Sequence, residues 1–158
     1  MRRATRYLLL PLTLALALAG FAQADDADQS DKVEFLFVMS GGSGEADGDT
    51  IVLHDVPVIV YFSDRPERKA GHVPISKFLQ LWNDPEGFGA DSPNAVLSVF
   101  DIDGPQNIVV EVLGIAAAGD TARLSVQVLD GEMPSADFGT ASVFFDPISG
   151  NAENGVGL

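Results

Sequence analysis

Short apolar runs broken by Gly, Pro, Asp and Asn make up most of the chain from Val33 onwards. Runs of this kind are typical of β-strands joined by turns. We predict seven strands, over residues 33–40, 50–53, 58–63, 95–100, 108–115, 123–129 and 141–145. Seven short strands at this spacing predict a mainly β fold, either an antiparallel sandwich or a small partly open barrel.

Two of these strands differ in how their apolar residues are arranged. Over 123–129, Leu124, Val126 and Val128 alternate with polar residues, which predicts one buried and one exposed face. Over 58–63 the residues are apolar on both faces, so this strand is expected to be central and covered on both sides. The strands 108–115 and 123–129 are predicted to form a hairpin through Gly119-Asp120.

One stretch has helical rather than strand periodicity. Its apolar residues recur at i, i+3, i+4 and i+7: Ile75, Phe78, Leu79 and Trp82. This spacing predicts one amphipathic helix of about two turns, inserted between strands. Ser76 as a cap and Pro74 as the first helical residue both fit its start. Because two turns are too short to be stable alone, Phe78 and Trp82 are expected to be buried on the sheet.

Most aromatic residues are expected in the core: Phe35, Phe37, Phe62, Phe78, Trp82, Phe100, Phe144 and Phe145. Phe88 and Phe138 lie in Gly-flanked segments, where core packing is the better expectation and exposure is the alternative. Residues 41–49, rich in Gly and acidic side chains, are predicted to be a loop.

The N-terminus has the three parts of a signal peptide. Arg2, Arg3 and Arg6 precede an apolar run over 7–19, and the small residues Ala22 and Ala24 follow. The alternative is a retained anchor, but the run is short of the roughly 20 residues that span a bilayer. We therefore predict a signal peptide over 1–24, a disordered acidic leader over 25–32, one domain over 33–149 and a flexible tail over 150–158. The protein is expected in the periplasm or outside the cell.

The chain is strongly acidic. Its formal net charge is −14, and loss of the three arginines before residue 7 leaves six Lys and Arg against 23 Asp and Glu, which is −17. A surface of this charge repels nucleic acid and anionic lipid, so neither nucleic acid nor a membrane anchor after cleavage is expected. With no cysteine, the chain forms no disulfide and has no site for a lipid anchor at the cleavage point. Oligomeric state stays open.

The densest polar segment is residues 63–72, directly after the predicted central strand. Arg65, Arg68 and Lys69 are three of the six Lys and Arg that follow residue 24, and His72 is one of two histidines. Arginine forks grip carboxylates and phosphates. The segment is therefore a candidate anion or partner site, with Asp64, Arg65, Arg68 and His72 as the predicted ligand-binding residues.

Three other interpretations of this segment stay open. Asp64 and Glu67 could simply pair with the neighbouring cations. Arg65, which lies two residues past the predicted central strand and just before Pro66, is predicted to be a buried structural clamp. A small exported enzyme could use His72 with Asp64 as an acid–base pair.

Part of the chain resembles a family of exported bacterial proteins of unknown function. The resemblance rests on residues 61–68 (YFSDRPER), on Ala70-Gly71-His72, on a short helix ending in Leu81-Trp82 and on residues 91–95 (DSPNA). It covers roughly residues 50–146, and the chain departs from the family after 147–148. The resemblance implies export and a single domain, and it supplies no activity and no catalytic residue.

Signals for metals and enzymes are weak. The acidic clusters 45–49 and 101–104 suit calcium turns but lack the twelve-residue loop that ends in Glu. His54 and His72 match no zinc spacing. We assign no catalytic residue, metal ligand or cofactor. The preferred interpretation is a non-enzymatic exported binding or interaction module with an unknown ligand or protein partner.

Overall fold

The computed structural model describes residues 32–85, 87–88, 91–101, 104–134 and 136–151. The predicted signal peptide, the leader before residue 32 and the tail after residue 151 lie outside these residues.

Ten strands and one helix follow one another in the described part of the chain. They are β1 (Lys32–Gly41), β2 (Ser43–Asp47), β3 (Thr50–His54), β4 (Ile59–Ser63), β5 (Ala70–Val73), α1 (Ile75–Trp82), β6 (Asn94–Asp101), β7 (Gly104–Ala118), β8 (Thr121–Asp130), β9 (Asp137–Phe138) and β10 (Ala141–Asn151). The mainly β class with one short inserted helix is confirmed.

All ten strands belong to one antiparallel sheet in the order β5-β4-β1-β10-β6-β7-β8-β3-β2-β9, which does not close into a barrel. The long strand β7 pairs with β6 through residues 104–111 and with β8 through residues 109–118, so it belongs to both halves of the sheet. Residues from both halves share one apolar core. The sheet is therefore folded over on itself, and each half has an inner and an outer face.

The predicted hairpin between β7 and β8 is confirmed. Gly119 has φ +63° in its turn, a conformation that glycine adopts without the steric cost of a side chain. Along β8 the side chains of Leu124 and Val126 are buried, whereas those of Ser125 and Gln127 are exposed. Strict alternation in the sequence therefore identified a strand with one solvated face.

Three strands, β2, β5 and β9, are not predicted, and the predicted strand β4 is covered on fewer faces than expected. Residues 43–47 form β2 instead of part of a loop. The sequence of β2 lacks apolar alternation, but the strand pairs with β3 and the Phe138 ring packs over Gly44. β4 is paired on both edges, but Val60 and Phe62 on its outer face are 45% and 39% exposed. The expected cover on both faces is wrong.

The helix is where its periodicity places it. Pro74 occupies the N-cap position, before the first helical residue, and no side chain caps the helix, so neither predicted start applies. Ile75, Phe78 and Trp82 are buried as expected. The ring centroid of Phe78 lies 5.4 Å from that of Phe37, so the helix packs on the inner face of β1.

The core prediction for the aromatic residues is right for five of eight. Phe62, Phe100 and Phe144 are exposed, because each points to the outer face of its strand. Phe88 and Phe138 are buried, which confirms the better of the two expectations for them. Phe88 stacks on Trp82 with ring centroids 5.5 Å apart.

Candidate binding surface

The predicted loop 63–72 is a β-hairpin in the structure. Its tip, residues 64–69, is called the cationic turn below. Ser63 closes the turn twice: its N–H donates to the Lys69 carbonyl at 2.8 Å, and its Oγ accepts from the Lys69 N–H at 2.8 Å. Inside the turn, the Arg68 N–H donates to the Asp64 carbonyl at 3.1 Å. The turn is therefore held by its own backbone.

One further hydrogen bond and two unusual backbone conformations shape the cationic turn. The Asp64 carboxylate accepts a hydrogen bond of 2.6 Å from the Arg65 N–H, as acidic side chains commonly do at the start of a turn. The Arg65–Pro66 peptide bond is cis, and Arg68 has φ +50°. A positive φ is uncommon for a residue with a side chain and is frequent at functional sites.

The arginines of the cationic turn are exposed to solvent. Arg65 is exposed, so the expected buried clamp is wrong. The turn lies beyond the paired residues of β4 and β5, where no described strand covers it. Among the described residues, neither Arg65 nor Arg68 forms an ion pair with Asp64, Glu67 or any other carboxylate. Both guanidinium groups are therefore open to a ligand.

His72 lies apart from Asp64. It is on β5 directly opposite Val60, and Asp64 follows Val60 by four residues. Four residues of extended chain span about 13 Å. Among the described residues no hydrogen bond or ion pair joins His72 to Asp64. The acid–base pair considered for an enzyme is therefore not assembled.

Gly71 allows the β4–β5 hairpin to pack closely against the core. It pairs with Tyr61, whose ring packs against Phe35 and Phe37 at centroid distances of 5.9 and 6.0 Å. A Cβ added to Gly71 would meet the Tyr61 hydroxyl oxygen at 2.6 Å. The Ala70-Gly71-His72 segment thus lets β5 lie close against Tyr61 and fixes the cationic turn relative to the sheet.

A row of apolar residues lies on the outer face of the half of the sheet that runs from β5 to β7. This surface was not predicted from the sequence. The registers of these residues are direct, Val60 to Val38, Val38 to Phe144, Phe144 to Val96 and Val96 to Val109, so all five side chains share one face. We call these five residues the outer row. Phe144 is 42% exposed and Val60 45%.

The borders of the outer row are polar. Across β1 and β10 the hydroxyls of Ser40 and Ser142 are 2.8 Å apart, and across β6 and β7 the Ser98 hydroxyl donates to Asn107 Oδ1 at 2.7 Å. Towards β5 the row reaches His72, beside the cationic turn. The exposed carboxylates of Glu34 and Asp146 lie on the same face. The surface therefore combines an apolar centre with a border of hydroxyl, amide, carboxylate and guanidinium groups, as protein interfaces do.

A second cluster lies on the other half of the sheet. His54 Nε2 is 3.9 Å from Glu45 Oε1, and His54 Nδ1 is 3.5 Å from the Thr121 hydroxyl. Both distances exceed the 2.6–3.2 Å or so that proton transfer requires. The side chains of His54 and Glu45 are 42% and 51% exposed, so water competes for both groups.

Two further features concern ions and membranes. A cavity of about 320 Å³ is lined by residues that include Phe88, Asp91 and Asp146. Within the described ranges, no group of three His, Asp or Glu side chains is placed to hold a metal ion. In the same residues no helix has the length and apolar character to cross a membrane.

Comparison with known proteins gives no relative: the chain matches no protein-family model, no curated protein and no solved structure. The fold and the surface define a class of protein: a mainly β domain in which a cationic turn, closed by hydrogen bonds between Ser63 and Lys69, lies beside an apolar sheet face.

Proposed function

We propose that this protein is an exported, soluble binding or interaction module without enzymatic activity, and that the cationic turn contacts an anionic ligand or the acidic group of a partner. The observation that carries the proposal is the state of Arg65 and Arg68. Both are exposed and without an ion pair in the described structure, on a turn that the backbone of Ser63 and Lys69 closes.

Charge supports a local anion site. A chain with a net charge of −17 after its first 24 residues repels anions at long range, so a concentrated group of cations is an exception within it. An arginine that no carboxylate neutralises offers five N–H donors in a fork that matches carboxylate and phosphate oxygens. Because the turn is closed by backbone bonds, less ordering entropy is lost on binding.

Export is supported by the N-terminal sequence and by the resemblance to exported bacterial proteins. The positively charged start, the short apolar run and Ala22-Gln23-Ala24 have the order of a cleaved signal. The enzymatic alternative, with His72 and Asp64, has less support, because the two residues are not in contact.

Isothermal titration with inorganic phosphate tests the site. We expect saturable heat for the full chain and at least a tenfold weaker affinity for Arg68→Gln, because one bidentate charged contact contributes roughly 1.5–3 kcal/mol. Arg123→Gln is the matched control, since Arg123 is exposed on β8, away from the turn. Equal affinities for all three chains, or no heat from any of them, would contradict an anion site.

A further inference from the structure

At the outer row, the strands carry apolar residues on both of their faces. On β1, Phe37 and Met39 fill the core while Leu36 and Val38, on the outer face, are only half-buried. An antiparallel sheet whose outer face meets water normally carries polar residues there, as β8 does. An apolar patch that crosses five strands marks an interaction surface.

Once the predicted signal peptide is removed, the segments that flank the described domain offer few apolar residues to cover this surface. The segments on either side of the described domain, 25–31 and 152–158, contain Val156 and Leu158 as their only large apolar residues. A flat sheet face packs well on a second sheet, at about 10 Å with strands inclined by about 30°. The partner that fits by shape is therefore another sheet.

The size of the face is near the lower limit for a specific dimer. From β5 to β7 it spans five strand spacings, or about 24 Å, and from Phe62 to Phe100 it spans about 20 Å along the strands. Two such faces bury roughly 1,000 Å² together, which is the lower bound for a specific interface.

One arrangement of two copies pairs opposite charges at the two ends of the face. The cationic turn lies at the β5 end of the face, and Glu111 and the exposed Asp130 lie at the β7 end. A two-fold axis parallel to the strands, between β1 and β10, reverses the order of the strands in the second copy. It therefore places the cations of each copy over the carboxylates of the other.

We propose that the outer row is the interface between two copies of this chain, stacked face to face about that axis. This proposal names the partner for the proposed function. It rests on that function only in assuming that the cations of the turn contact an acidic partner. The partner is here a second copy, whose Glu111 and Asp130 supply the acidic groups.

Sedimentation equilibrium at roughly 10–300 µM protein tests the interface, since small interfaces dissociate in that range. We expect dimers for the full chain and monomers for Phe144→Lys, with at least a tenfold weaker association. Ser125→Lys is the matched control, because it adds the same charge to an exposed position on β8 and should leave the dimer intact. Urea unfolding of Phe144→Lys within about 1 kcal/mol of the parent shows that the variant is folded.

The arrangement is tested by cross-linking, because the chain has no cysteine of its own. Ser142→Cys, next to the proposed axis, should give covalent dimers with a short bis-maleimide, and Ser125→Cys should not. A monomer at the highest concentration, or a dimer that Phe144→Lys leaves unchanged, would overturn the proposal. Phosphate titration of the monomeric Phe144→Lys chain tests the anion site separately, so either proposal can fail alone.

Discussion

The inner and outer faces of β1 contain similar residues in different surroundings. Phe35, Phe37 and Met39 are almost completely buried among the helix and the other half of the sheet, whereas Leu36 and Val38 lie on a face that no other element of the described structure covers. The inner residues are needed for folding, because removing them from water drives it. The outer residues are less completely buried in the monomer, and we attribute their apolar character to the proposed binding surface.

The largest expected effect separates the two faces by stability. Trp82→Ala should lower the free energy of unfolding by about 3–5 kcal/mol, the usual cost for a buried aromatic residue. Phe144→Ala should cost less than about 1 kcal/mol, because its side chain already meets water. Urea unfolding measures both. Since Trp82 is the only tryptophan and is 6% exposed, its emission should also be blue-shifted in the folded chain.

Equal losses of stability in Trp82→Ala and Phe144→Ala would contradict this comparison. They would mean that the outer row is part of the folding core. An emission maximum of fully hydrated tryptophan would contradict the burial of Trp82.

An intermediate effect is expected where the hairpin joins the inner face. Gly71→Ala should cost about 1–3 kcal/mol, because the new Cβ displaces the Tyr61 ring from Phe35 and Phe37. Gly114→Ala on β7 is the control, since a Cβ there has no neighbour within 4 Å. Thermal unfolding should show a clear loss for the first variant alone. A similar loss in both would point to backbone propensity rather than to Tyr61.

The smallest effects are expected at the cationic turn. Arg65→Ala should change stability by less than about 0.5 kcal/mol, as for other exposed residues outside a network. Arg68→Gly should be nearly neutral, because relief of the positive φ, about 1 kcal/mol, offsets the greater freedom of glycine in the unfolded chain. Urea unfolding of the two variants measures these changes. If Arg65→Ala lowered the free energy of unfolding by about 3 kcal/mol, Arg65 would be a structural clamp after all.

The sequence predicts the parts of the fold that depend on local periodicity. The helix follows from the spacing of Ile75, Phe78 and Trp82, and the β7–β8 hairpin follows from alternation around Gly119. Strand β2 has no such pattern. It is stabilised instead by pairing with β3 and by contact with the Phe138 ring. The contact between Gly44 and Phe138 joins residues far apart in the chain and leaves no local signal.

The candidate site is predictable to a similar extent. The grouping of Arg65, Arg68 and Lys69 is visible in the sequence, but their exposure and the separation of His72 from Asp64 depend on how the hairpin is built. The double apolar pattern of 58–63 indicated that both faces of β4 are covered, whereas in the isolated chain the outer one is open. Register across five strands, which creates the outer row, cannot be obtained from one strand at a time.

The central claim is that the outer face is covered by a partner in the native compartment and open in the isolated chain. Hydroxyl-radical footprinting of the chain in its native cells and as a dilute pure protein tests this most directly. We predict that Phe62 and Phe144 are oxidised in the dilute protein and protected in the cells, while the β8 peptide that contains Ser125 and Gln127 is oxidised equally in both. Equal oxidation of Phe62 and Phe144 in the two samples would contradict the claim.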